Sequence, residues 1–136
     1  MQQLTAYWLT LCLSLVPSAV LAAQYDGSVP LLCAVLEVRE CEAGAECQWG
    51  DAESVNLPPF VKIDAPQKVL STTEAAAEQR TTRIRHVEQL DGQLTLQGGE
   101  GGRAWSLIIA QDTGKLTATI TDDRVGFVIF GACTPF

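Results

Sequence analysis

The chain has a single histidine, His86, among its 136 residues. It contains no G-x-S-x-G and no C-x-x-C, so hydrolytic triads, histidine-rich zinc sites and thioredoxin-type redox centres lack their parts. The D-x-[DN]-x-[DN]-G order of a calcium loop is also missing, although oxygen ligands are plentiful. Bases are scarce: nine Lys and Arg stand against sixteen Asp and Glu, for a net charge of −7. That balance disfavours nucleic acid and anionic membranes as partners and favours a cationic protein or a divalent cation. A chain of this length supports one domain with a single core.

Lys and Arg are absent from Met1–Ala23 (MQQLTAYWLTLCLSLVPSAVLAA). This stretch has an apolar run from Tyr7 to Val16 and ends in small residues, with Val20 and Ala22 placed as a V-x-A cleavage site. It reads as a secretory signal peptide, residues 1–23, leaving a domain over 24–136 in the periplasm or outside the cell. A retained anchor is the alternative, but Ser14, Pro17 and Ser18 interrupt the run, which falls short of the ~20 apolar residues of a span. After cleavage no stable membrane insertion is expected. Leu11 before Cys12 argues against lipid attachment at that cysteine.

Four cysteines remain beyond the leader: Cys33, Cys41, Cys47 and Cys133. In an exported small domain an even number reads as two disulfides, and four cysteines permit three pairings. Cys41–Cys47 is favoured because its short loop contains Gly44. Cys33–Cys133 would then tie the start of the domain to its end.

The first of these loops lies within ECEAGAECQWGDAE, residues 40–53, the most acidic stretch of the chain. Residues 26–53 hold seven acids against Arg39 alone, whereas residues 54–136 hold nine acids against eight bases. C-x5-C without a second pair or a histidine is not a zinc spacing. The stretch therefore reads as a stapled acidic loop and a candidate partner contact through Glu40, Glu42, Glu46, Trp49, Asp51 and Glu53; the competing reading is a solvated face. Arg80, Arg83 and Arg85 form the one basic cluster, a candidate anion contact or simply solvated charge. No catalytic residue, metal ligand or cofactor is assigned.

Ser28-Val-Pro30 ahead of Leu31, Val35 and Val38 predicts a helix of about three turns, with a strand through Ala34–Arg39 as its competitor. From Phe60 onward, seven short apolar segments alternate with turn signals. FVKID and KVLSTT flank Ala65-Pro66-Gln67; RTTRIRHVEQL and QLTLQ flank Asp91-Gly92. GGEGG leads to RAWSLIIA, Asp112-Thr-Gly114 to KLTATIT, and Asp122-Asp123 to RVGFVIFGAC. Consecutive hairpins predict a mainly β fold: an antiparallel meander or up-and-down barrel of about seven strands. The last segment is apolar on both faces, so the N-terminal helical segment is expected to cover its outer side or plug the barrel.

GRAWSL, DTGK and GFVIFGAC, with the upstream AESVNLP, together resemble a family of small exported bacterial proteins to which no activity is attached. The resemblance spans residues 26–134. It implies export and a compact β domain and carries over no site. Asp112-Thr-Gly114 alone does not make an aspartic protease: it occurs once, and glycine in a strand connection accounts for it. Gly98, Gly99, Gly101 and Gly102 lack the Lys-Ser/Thr of a phosphate loop and lead into a strand.

Three functional classes follow. The first is a non-enzymatic module that recognises a cationic protein through the acidic loop and exposed aromatics such as Tyr25, Trp49 and Phe136. Small exported barrels that inhibit lysozyme offer an analogy of fold and charge, though their motifs are not evident here. The second is a barrel that holds a small apolar ligand, which an internal cavity would favour. The third, an enzyme, would need converging buried carboxylates in a pocket. The oligomeric state is not legible.

Overall fold

The computed structural model describes Tyr25–Phe136; the expected signal peptide lies outside the described residues. Nine strands form one antiparallel sheet: β1 (Leu31–Glu42), β2 (Gln48–Gly50), β3 (Phe60–Asp64), β4 (Val69–Thr72), β5 (Thr81–Leu90), β6 (Gln93–Glu100), β7 (Arg103–Ala110), β8 (Lys115–Thr121) and β9 (Val125–Pro135). From β3 to β9 each strand pairs with the next, as expected of a meander. β1 then pairs with β3 on one edge and β9 on the other, which closes an eight-stranded barrel. Short β2 adds to the free half of β1, with Arg39 opposite Trp49.

The expected N-terminal helix is not formed: Leu31–Val38 belongs to β1, and among the described residues the only helical element is a single 3-10 turn, Glu53–Val55. The cause lies in a β-bulge between Val35 and Glu37. Leu31, Cys33 and Val35 alternate toward the interior, the bulge at Leu36 shifts the phase by one, and Val38 then points inward. A bulged strand thus spaces its apolar residues at 31, 35 and 38, the spacing of a helix face. The expected cover over β9 fails for the same reason, because β1 joins β9 edge to edge. The outward residues Leu36 and Phe130 are 68% and 41% exposed.

Turn chemistry fixes the hairpins as read. Asp91 and Gly92 both have positive φ, 52° and 77°, the geometry that matches the strand twist in a two-residue connection. Gly114 of the Asp112-Thr-Gly114 turn has φ 69° and lies under the Tyr25 ring; a Cβ there would fall 2.6 Å from the ring and 2.7 Å from the Cys133 carbonyl oxygen. The motif thus seats an aromatic plug at one end of the barrel.

That end is filled. Leu31, Ile63, Ile84, Leu94, Leu96 and Ile109 are fully or almost fully buried, and the Cys33–Cys133 disulfide lies among them. Tyr25 packs against this cluster from below, and Gln89 donates to the Asp26 carbonyl (2.6 Å), which ties the entering chain across the base. The second expected disulfide, Cys41–Cys47, closes the β1–β2 hairpin.

The two bridges differ in what they constrain. Cys33 and Cys133 are 100 residues apart and Cys41 and Cys47 six. In the chain-entropy account, Cys33→Ala/Cys133→Ala costs about 5 kcal/mol and Cys41→Ala/Cys47→Ala about 2. Urea denaturation of both variants checks this, and equal losses would contradict it.

Candidate functional site

The strands carry small inward residues at one level. In phase with buried Leu94 and Leu96, β6 places Gly98 toward the interior; β8 places Ala118 above Leu116; β3 places Val61 above Ile63; β5 places Thr82 above Ile84. Above the filled layer these positions leave a cavity of about 210 Å3, bounded almost entirely by apolar atoms. Val35, Leu70, Thr72, Leu107 and Ile129 also line it, together with Arg80 and Glu100.

Trp105 of β7 crosses part of the gap. It stands opposite Gly98, and a methyl group at Gly98 would overlap its ring. The same methyl would also fall 2.7 Å from the Arg83 carbonyl oxygen of β5. Glycine at 98 therefore leaves room for the indole against β6. Trp105 and Thr82 both line this space, and their indole Nε1–H and hydroxyl are buried and find no hydrogen-bond partner within the protein. Buried groups of this kind ordinarily have one.

The segment between β2 and β3 caps the cavity. Val55 and Leu57 pack toward Val38, Phe127 and Ile129, and Leu57 and Pro58 border the cavity. Asp51 accepts from the Ser54 amide (2.9 Å), and the Leu57 amide donates to the Ala52 carbonyl (2.8 Å), which fixes the 3-10 turn. Asn56 takes positive φ, 55°. Arg80, before β5, donates to the Asn56 carbonyl (2.7 Å) and side-chain oxygen (3.0 Å) and is ion-paired with Glu78. The hydrogen bond from Arg80 holds Glu78 below the usual glutamate range, and the same contact raises the Arg80 guanidinium.

The rim around this end is acidic. Residues 40–59, 73–80, 99–103 and 121–126 form the open end and hold ten acids against Arg80, Arg103 and Arg124. The rest of the chain holds six acids and six bases. The whole net charge of −7 therefore sits at the mouth. Of the candidate partner contacts, Glu42, Glu46, Trp49, Asp51 and Glu53 are exposed there and Glu40 is half-buried. Arg39 stacks on the Trp49 ring.

The basic candidates are not brought to one place. Arg80 is engaged by the cap, while Arg83 and Arg85 are exposed on the outer wall of β5, beside His86, which lies 3.6 Å from Glu88. Among the described residues, no group of three or more His, Cys, Asp or Glu is placed to hold a metal. Sequence reasoning missed Trp105, Thr82, Ala118 and the capping role of Arg80. The available signal was the phase of LTLQG, which aims a glycine at the core of an otherwise leucine-lined strand.

Comparison with protein-family models, with curated proteins and with solved structures finds no match.

At the rim, Asp122 accepts from the Val125 and Arg124 amides, both at 2.9 Å, and these bonds, Val125 first, hold its carboxyl below the usual value near 3.8. A folded-state pKa that is depressed gives stability present above the unfolded value and lost as pH falls through the folded one. Acidification below pH ~4 should therefore lower the urea midpoint of the protein. Asp122→Asn should show a shallower fall over that window; an unchanged pH profile would exclude the contribution.

Proposed function

We propose that the protein is an exported, disulfide-stapled barrel that holds a small apolar molecule in its interior. The observation that carries this reading is the apolar cavity of about 210 Å3 beneath the 51–59 cap. Native interiors are ordinarily close-packed, and an engineered apolar cavity of about 150 Å3 binds benzene. A space somewhat larger, open toward one end of the barrel, suits a substituted benzene or a bicyclic ring. Two disulfides fit an oxidising compartment. No helix among the described residues is long and apolar enough to cross a membrane. Arg83, Arg85, Thr117 and Thr119 share the outer wall with Leu36, Ile108 and Phe130, a mixed surface unlike the apolar band of a membrane barrel.

Saturating ethylbenzene should raise the thermal midpoint, by the mass action of a ligand bound only in the folded state. Ala118→Leu fills the same space, so it should retain the fold and lose the ethylbenzene response. No response to ethylbenzene, indene or p-xylene in the parent protein would refute the reading.

The charge of the mouth supports a second reading, docking of a cationic protein on the acidic rim. Glu42, Glu46, Asp51 and Glu53 line one side of it beside exposed Trp49. A one-to-one complex with lysozyme at physiological ionic strength, weakened about tenfold or more by Glu42→Gln/Glu46→Gln/Glu53→Gln and lost at high salt, would support it. Binding unaffected by the triple change would count against it.

A further inference from the structure

We infer that the cavity is built for a neutral molecule bearing one hydrogen-bond-accepting oxygen, of the class of small aryl or alkyl ketones, held by the Trp105 indole N–H and the Thr82 hydroxyl. The inference rests on the ligand-barrel reading and adds the chemistry of the ligand.

Its first ground is the pair of orphan donors. Trp105 and Thr82 both line the cavity, and the Trp105 Nε1–H and the Thr82 hydroxyl are buried and have no protein partner. Trp105 contributes only a donor, and threonine contributes a donor with acceptor capacity. A buried donor without a partner costs stability, whereas valine would fill the place of Thr82 without that cost. The register also relates the two residues: Trp105 stands opposite Gly98, whose other partner is Ile84 of β5, and Thr82 is the inward residue above Ile84. One carbonyl oxygen has two lone pairs and is able to accept from both donors.

The second ground is the field at the entrance. Every unit of the net charge belongs to the open end, and the bases there are engaged: Arg80 by Asn56 and Glu78, Arg103 by Asp122 (3.5 Å), Arg124 by Asp123 (3.9 Å). A carboxylate ligand would cross this rim against repulsion, and the one cation lining the cavity, Arg80, is already engaged by Asn56 and Glu78. A neutral oxygen meets neither obstacle. The size of the space matches acetophenone, which is ethylbenzene with its benzylic CH2 replaced by a carbonyl group.

That isosteric pair separates the ligand chemistry from the ligand-barrel reading. Acetophenone should move the Trp105 indole 1H–15N resonance downfield, the resonance being identified by its absence in Trp105→Phe, and ethylbenzene should not produce that shift. Thr82→Val should weaken acetophenone about tenfold and leave ethylbenzene binding unchanged. It should also raise the urea midpoint of the free protein, because a buried hydroxyl without a protein partner is removed. Benzoate, the anionic counterpart, should bind more weakly than acetophenone at low salt.

Binding of ethylbenzene with no response of the indole to acetophenone, or with equal loss of both ligands in Thr82→Val, would overturn the inference and leave the ligand-barrel reading standing. Benzoate tighter than acetophenone would overturn the claim of neutrality. Failure of both neutral probes to bind would remove the reading and the inference together.

Discussion

Everything in this molecule depends on the seam where β1 meets β9. The two strands run opposed from Leu31 and Pro135 at one end to Glu42 and Val125 at the other, with Cys33 directly across from Cys133. Closure there converts an open meander with two exposed edges into a barrel whose strands are paired around the ring. It also fixes the register. A slip by one residue would turn the cysteines and the leucines beside them to the outside, so the covalent bond and the apolar pattern specify the same pairing. The disulfide is itself interior, packed among Leu31, Ile63 and Leu116, and acts as part of the core.

The barrel is asymmetric along its axis, and the asymmetry follows from side-chain size. At the closed end, leucine and isoleucine from β1, β3, β5, β6 and β7 meet in one cluster beneath which Tyr25 is seated. At the open end, Gly98, Ala118 and Thr82 leave space that Trp105 fills in part. By the dependence seen in core truncations, a void of about 210 Å3 open at one end costs less than the roughly 5 kcal/mol of a closed one of that size. The long-loop disulfide offsets a sum of similar size in the chain-entropy account. Together these terms make a partly hollow domain of this size physically reasonable.

Much of this order was legible in the residues. Asp91-Gly92, Asp112-Thr-Gly114 and Asp122-Asp123 are turns where read, and the seven segments from Phe60 onward are all strands. Both disulfides pair as favoured. Leu31–Val38 has the apolar spacing of a helix yet is a strand, because a single bulge gives a strand that spacing. Local periodicity does not separate the two; hydrogen bonding to β3 and β9, at sequence distances of about 30 and 100 residues, decides it. The acidic loop was visible as charge but not as a rim, because Glu74, Glu78, Glu100, Asp122 and Asp123 join it only through folding. The cavity was least legible, since it is a property of eight inward phases at one height.

The ends of the described chain add a point about orientation. Tyr25 lies beneath the closed end, and the Phe136 amide donates to the Pro30 carbonyl (2.9 Å), so the chain enters and finishes on the side of the barrel remote from the cap. Any attachment made at either end, whether a surface tether, a fusion partner or a resin, would hold the protein by its base. The acidic mouth would then project toward solution with nothing bonded near it.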